Sequence, residues 1–408
     1  MSNLIKTTWL TGLLAISLST VRMYAQTSSR IEHITEFYRH RDGFMGTVVV
    51  AKKGRIVFQK SYGFANVEKQ SPFAQDTRLP IGSLSKQFTA AAILLLQRDG
   101  KLKTSDSIRQ FYKDAPTAWA QIILRNLLTQ TSGIPDFDFS EAVRQGPRLP
   151  EKNIQTVISQ RPKFDSGTAF DYSNANYVLL AMVIESASGE PYCRFLQERI
   201  FEPLRLTQTG CVWISGSTPH GATGYRPTAT GFVAAESDDL TSIPGAGSLY
   251  STAVDLIRWT WALHSGRVLN QSSLKEIITP FLNGYAYGLE VDDDKWIVHN
   301  GAIDGFYVAV DYLPKTKTIA LILSNVSSDG NQRSPGSFAR EAELMESVLD
   351  NHSILPSEGR ELFVPDETLR HCVGRYKAAD SHNPVSFEIR LNGNHLSLQF
   401  DGSCGSAA

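Results

Sequence analysis

Ser83-Leu84-Ser85-Lys86 sets a hydroxyl and an amine three residues apart. On a helix, positions i and i+3 share a face, so the Lys86 amine can reach the Ser83 hydroxyl. A buried amine of depressed pKa takes a hydroxyl proton, and a helix N-terminus favours the negative charge that develops beside it. Spacing alone carries little weight, because Ser272-Ser273-Leu274-Lys275 repeats it in a polar segment with no preceding strand. We read that second copy as a decoy. Tyr172-Ser173-Asn174 is the only Tyr-x-Asn in the chain. It supplies a phenol that can shuttle protons beside an ammonium and an amide that can hold a substrate amide. His299-Asn300-Gly301-Ala302 adds an imidazole, and a glycine where a substrate can approach the backbone closely. In that order, the three elements point to nucleophilic catalysis by a serine through a covalent intermediate.

Other chemistries lose their sequence case. No serine has the Gly-x-Ser-x-Gly surroundings of a nucleophile elbow, and there is no His-Glu-x-x-His, P-loop or Gly-x-Gly-x-x-Gly opening a helix. The remaining histidines are scattered singly, so no metal and no cofactor is expected. The 408 residues carry 40 basic against 41 acidic side chains, a net charge of −1 without blocks of like charge. That balance gives no electrostatic footing for a nucleic-acid partner. A hydrophobic content of 42% suits a folded chain of two or three units rather than a disordered one.

These residues need a scaffold to bring them together. Thr47–Ala51 and Arg55–Phe58, joined by Lys52-Lys53-Gly54, read as a β-hairpin. Gln87–Leu96 reads as a helix stopped at Asp99-Gly100, which puts Ser83 at a helix start. Tyr177–Glu185 reads as another, in a mostly helical middle region ending near Gly189. Strand character returns from Trp296 through Phe306–Val310 and Thr318–Leu323, followed by a loop over 330–336 and a late helix over 341–349. The pattern predicts an α/β (α+β) domain whose sheet is completed by the chain's return. Short alternating strands at 373–376, 385–389 and 395–400 predict a small C-terminal β module, too short for a closed barrel of eight strands.

Lys6 and the apolar run Trp9–Leu18, followed by Met23-Tyr24-Ala25, read as a secretory signal cleaved after Ala25. The run is shorter than a bilayer span, so no stable membrane anchor is expected and the mature chain is expected to be secreted or periplasmic. Domain limits are accordingly 1–25 for the signal, 26–355 for the catalytic domain and 356–408 for the β module. Cys193, Cys211, Cys372 and Cys404 lack paired metal-ligand spacing. Any of three disulfide connectivities, or four free thiols, fits the spacing.

The three motifs together resemble the serine β-lactamase and penicillin-binding-protein superfamily. The resemblance is to the branch related to class C β-lactamases, D-alanyl-D-alanine carboxypeptidases, D-aminopeptidases and family VIII esterases, and runs from about Phe44 to Val326. It implies a β-lactamase/transpeptidase-like fold, an antiparallel sheet flanked by helices plus an all-helical subdomain, with the site in the cleft between them. It implies Ser83 as the acylated nucleophile, Lys86 as its proton partner, Tyr172 as general base or relay, and Asn174 as a substrate contact. His299, Asn300 and Gly301 map to the third substrate-binding motif, and the backbone N–H groups of Ser83 and Ala302 to the oxyanion hole. Many relatives with β-lactamase activity carry Lys-Thr-Gly at that motif; a neutral imidazole is a weaker anchor for a carboxylate. The expected activity is therefore peptidase or esterase cleavage of an amide or ester bond in a small-molecule or peptide substrate, a D-amino-acid peptide or a small ester, with cell-wall peptides among the candidates. A class C-type β-lactamase is the alternative, and a non-catalytic ligand sensor the reading from another class. Gln130, where relatives often have histidine, reads as structural.

Overall fold

The computed structural model describes residues 28–37, 39, 40, 43–144, 150–212, 221–228, 231–236, 238–292, 296–327, 374–377, 386–392 and 395–400. The signal over 1–25, the loop over 330–336 and the late helix over 341–349 lie outside these residues. The chain divides into two units, Met1–Leu355 and Pro356–Ala408.

In the first unit β1 (Gly46–Lys52), β2 (Arg55–Tyr62), β3 (Glu290–Val291), β4 (Ile297–Ile303), β5 (Phe306–Leu313) and β6 (Thr318–Ser324) form one antiparallel sheet. Their order is β3-β4-β5-β6-β1-β2, so the returning chain does complete the sheet, with Gly46 opposite Ser324 and Lys52 opposite Thr318. The central strands β1, β5 and β6 are buried along nearly their whole length, which is why they read as continuous β-branched and apolar runs. Alternation sends Val49 and Ala51 into the larger core and Val48 and Val50 into a second core with Ile31, Ile34 and Phe44. Both faces are therefore covered.

Helices α1 (Ser85–Arg98), α2 (Asn174–Ser188) and α3 (Ala253–His264) contribute to the larger core. Every residue of α1 from Ser85 to Leu96 is buried, so the helix is enclosed on all sides rather than amphipathic. Phe88 of α1 stacks on Trp259 of α3 with ring centroids 4.0 Å apart. Gly189 ends α2 in the left-handed conformation, φ +80, and its N–H bonds the Glu185 carbonyl. Short helices Leu124–Leu128, Pro150–Ile158 and Tyr192–Leu196 pack on α2 in the helical middle region, and Phe139–Arg144 packs on the turn Leu240–Ser242. The architecture is the α/β arrangement of an antiparallel sheet flanked by helices. Cys193 and Cys211 form a disulfide across a Cα separation of 6.1 Å, which resolves part of the cysteine question. Cys372 and Cys404 lie outside the described residues.

In the second unit β7 (Gly374–Lys377), β8 (Ser386–Asn392) and β9 (His395–Phe400) form a three-stranded antiparallel sheet in that order. Phe387 stands opposite Tyr376 on one side and Phe400 on the other.

Candidate active site

Ser83 does not sit on α1 itself. It occupies a 3-10 turn, Gly82–Leu84, closed by the Leu84 N–H on the Ile81 carbonyl, and the α-helix begins only at Ser85. The sequence expectation of a helix start is met two residues late, after a 3-10 turn that opens on Gly82 at φ +50, a backbone conformation that an L side chain rarely adopts. Strand β4 then runs against this turn. A methyl group on Gly301 would lie 2.0 Å from the Ile81 carbonyl oxygen and 3.1 Å from the Ser83 nitrogen, so only glycine permits the approach. From the other side, a methyl on Gly82 would lie 3.3 Å from the Ala302 nitrogen. The backbone nitrogens of Ser83 and Ala302 thus flank one small space.

Lys86 reaches into that space from the first turn of α1. Its Nζ lies 3.1 Å from Ser83 Oγ, 2.9 Å from Asn174 Oδ1 and 2.8 Å from the Ala246 carbonyl. Burial drives its pKa down to about 7, partly countered by the Asp136 carboxylate. A neutral amine has two N–H bonds and one lone pair. Asn174 Oδ1 and the Ala246 carbonyl can only accept, so they take the two N–H bonds and turn the lone pair toward the Ser83 hydroxyl.

Tyr172 lies in the loop before α2, with its ring centroid 4.9 Å from Lys86 Nζ and its hydroxyl hydrogen-bonded to Ser83. Burial raises its pKa well above the phenol range, and the Ser83 bond offsets only part of the rise. At neutral pH it is a phenol rather than a phenolate. Asn174 opens α2 and is itself oriented by Asp136, whose Oδ2 accepts from Asn174 Nδ2 at 3.0 Å. Asp136 Oδ1 accepts the Ala175 N–H at 3.2 Å, so one carboxylate holds both the helix start and the amide that grips Lys86. Burial nevertheless raises the Asp136 pKa.

His299 lies on β4, buried, with Nδ1 donating to the Asn300 carbonyl at 2.6 Å and Nε2 3.5 Å from the Tyr285 hydroxyl. Burial, and next the Lys86 charge, lower its pKa to about 3, so the ring is neutral across the physiological range. Strand alternation sets Asn300 and Ala302 on the opposite face of β4 from His299 and Gly301. The group that Asn300 presents to His299 is its carbonyl. Gln130, buried at φ +57, accepts from the Ser173 N–H and from Asn176 Nδ2 through Oε1, a brace at the start of α2.

A pocket of about 140 Å³ adjoins Ser83 and Ala302, walled by Phe139, Ile243, Ala246 and Ile303. Neither Tyr172, Lys86 nor His299 lines it. Sequence reasoning did not single out Asp136, the Ala246 carbonyl, Phe139 or Ile243. The loop 245–248 carries a glycine-rich sequence that marks a turn, but nothing in it marks which carbonyl meets Lys86. Ser272 and Lys275 lie on the helix Gln271–Ile277, away from this pocket.

Residues 33–343 match the family model described as Beta-lactamase. The chain is 31% identical over 293 residues to the putative penicillin-binding protein PbpX of Bacillus subtilis, covering 72% of this chain and 73% of that protein. The structure of the octameric penicillin-binding protein homologue from Pyrococcus abyssi superposes with a TM-score of 0.71 at 25% identity, over 92% of this chain and 88% of that one. The D-amino acid amidase from Ochrobactrum anthropi SV3, complexed with D-phenylalanine, superposes with a TM-score of 0.71 at 24% identity, over 80% of this chain and 99% of that one, a likeness of fold.

Proposed function

The chain belongs to the beta-lactamase family of serine hydrolases, and from that premise we propose that it cleaves esters or amides of small uncharged acyl groups through an acyl-enzyme on Ser83. The observation that carries this reading is the geometry at Lys86: two obligate acceptors on its N–H bonds and the Ser83 hydroxyl on its third position.

The steps follow from that geometry. The neutral Lys86 amine takes the Ser83 proton as Oγ attacks the substrate carbonyl carbon, and the carbonyl π electrons move onto oxygen. The backbone N–H groups of Ser83 and Ala302 hold the oxyanion. On collapse, the proton on Lys86 passes through the Tyr172 hydroxyl to the departing alkoxide or amine, and the acyl group stays on Ser83. Water then attacks the acyl-enzyme, giving its proton back along the same relay, and Ser83 leaves as the hydroxyl. Tyr172 acts as a relay here, because a phenol of raised pKa cannot serve as a standing phenolate base. Asn174 acts as a positioning residue for Lys86 and, through Asp136, keeps the lone pair aimed.

The substrate class follows from what surrounds the reacting carbon. The leaving group must face Tyr172, which protonates it, so the apolar pocket that Tyr172 does not line takes the acyl side. Its volume of about 140 Å³ and its walls of Phe139, Ile243 and Ile303 favour a short, uncharged acyl group. A neutral His299 provides no cation for a substrate carboxylate, which favours the esterase or amidase reading over hydrolysis of β-lactams. Export with removal of residues 1–25, and independent folding of 26–355 and 356–408, belong to the same proposal. The disulfide is consistent with an oxidising compartment, and no helix among the described residues is long and apolar enough to cross a membrane.

A 4-nitrophenyl ester series from acetate to octanoate tests the reading. We expect an increase in mass equal to the acyl group on the intact protein, absent in Ser83→Ala, and kcat/KM highest at two to four carbons, an estimate of about that chain length from pocket size. Turnover that survives Ser83→Ala overturns the nucleophile assignment. An optimum at octanoate overturns the acyl-pocket assignment alone.

A further inference from the structure

The structure contains a second, larger concavity that the hydrolytic chemistry does not use. A groove of about 770 Å³ is lined by Lys103, Arg125, Lys275, Glu276, Phe281 and Tyr287, with Gln97 at the C-terminal end of α1. Gln97 lies eleven residues beyond Lys86 on α1, about 16 Å along the helix axis, so the groove is separate from the Ser83 pocket. It also contains both polar members of the Ser272–Lys275 repeat. Ser272 Oγ donates to Asn270 Oδ1 at 2.8 Å, so its hydroxyl is held by the helix cap and not by Lys275.

Charge in the groove is lopsided. Among the described residues Glu276 is the one carboxylate in the lining, and it accepts from neutral donors: Gln97 Nε2 at 2.9 Å, Thr104 Oγ1 at 3.0 Å and the Tyr287 hydroxyl at 3.2 Å. Among the described residues no carboxylate forms an ion pair with the side-chain nitrogens of Lys103, Arg125 or Lys275; Asp106 Oδ2 accepts the Lys103 backbone N–H at 2.7 Å, and the Arg125 side chain hydrogen-bonds Tyr287. Three cations therefore face one locked anion around a space large enough for a small organic molecule. Beside them Phe281 is 53% exposed, an aromatic face in water at the mouth of a polar groove.

We propose that this groove is a binding site for an organic anion, a carboxylate or phosphate ester whose charge meets Lys103, Arg125 and Lys275 and whose apolar part packs on Phe281 and Pro280. Side-chain cations with no ion-pair partner among the described residues supply the charge complement, and the exposed ring supplies a surface that gains from being covered.

Titration calorimetry with benzoate and with phenyl phosphate, on the full chain carrying Ser83→Ala, tests the site without dependence on turnover. We expect saturable binding of one equivalent that weakens with added salt. It should weaken at least about tenfold when Lys103→Gln, Arg125→Gln and Lys275→Gln are combined, the sum of three exposed charge contacts. Phe281→Ala, an exposed position that leaves the fold undisturbed, should weaken both ligands and leave inorganic phosphate unaffected. Preference for one probe identifies the anion as carboxylate or phosphate within the proposed class. Absence of saturable binding, or equal affinity in the triple variant and in Phe281→Ala, overturns the proposal. Neither result bears on ester hydrolysis, which the unsubstituted chain reports separately.

Discussion

The chain contains Ser-x-x-Lys twice, and the two copies behave as different chemistry. Lys86 is fully buried on an enclosed helix, bonded to Ser83, Asn174 and Ala246, and its pKa is drawn down to about 7. Lys275 is exposed on the seven-residue helix Gln271–Ile277, and its neighbour Ser272 is tied to Asn270. Identical spacing on helical backbone thus sets a reach and nothing more. Desolvation and fixed acceptors turn one pair into a proton-transfer unit, while water and a helix cap keep the other pair's hydroxyl and amine apart. The consequence differs as well: burial poises the first amine to lose its charge, while the second faces the open groove.

The sharpest way to break this contrast is to remove each hydroxyl. Ser83→Ala should lower kcat/KM by about 10⁴-fold or more, the scale seen when a covalent nucleophile is deleted. Ser272→Ala should leave it within about twofold, since a surface change away from the site acts weakly. Steady-state assays of both variants on one ester decide the matter, and comparable losses would mean that the two copies share a role.

What could be read before folding follows the same division. The runs at 47–51, 306–310 and 318–323 and the helix around 87–96 were legible because their periodicity is local and their burial is two-sided. The convergence of Lys86 with Asn174, 88 residues on, was legible only through the order of three motifs and their resemblance to a family. The Ala246 carbonyl, 160 residues from Lys86, was beyond any residue pattern, since every residue type offers the same oxygen there. Asp136 escaped for another reason. Its carboxylate acts only because the fold desolvates it and aims it at Asn174, and neither condition is written in Gly133-Ile134-Pro135-Asp136.

Stability against pH sharpens the comparison next. A lysine whose folded pKa is about 7 against 10.5 unfolded opposes folding wherever the unfolded chain holds a proton that the folded chain lacks. That cost is small near pH 10.5, grows as pH falls, and levels off below about 7. Lys86→Met removes it, at the expense of two unpaired acceptors whose cost does not vary with pH. Between pH 9.5 and 7, the stability of Lys86→Met relative to the parent should therefore rise by roughly 3 kcal/mol in urea unfolding. The same measurement on Lys275→Met, an exposed position away from the Ser83 pocket, serves as the reference for a lysine-to-methionine change outside the site. A flat difference for Lys86→Met would place Lys86 in a wetter setting than its geometry implies.

The smallest effect probes what holds the buried copy in tune. Asp136 touches neither Ser83 nor Lys86 by hydrogen bond; it orients Asn174, and its charge raises the Lys86 pKa. Asp136→Asn should lower kcat by roughly 10–100-fold, the usual cost of losing an outer partner that aims an inner one. It should also displace the acidic limb of the kcat/KM profile. In the parent that limb rises through about pH 7 as Lys86 becomes neutral, and an apparent value belongs to Lys86 and Tyr172 together. Without the carboxylate, the ammonium loses its one stabilising charge, so the amine is free at lower pH and the limb moves to more acidic values. A structural loss alone would scale the profile without shifting it. An unshifted limb would mean that Asp136 carries no charge in the working enzyme and that desolvation sets the Lys86 pKa without it, and a shift toward alkaline pH would overturn the assignment of Asp136 as the charge that raises that pKa.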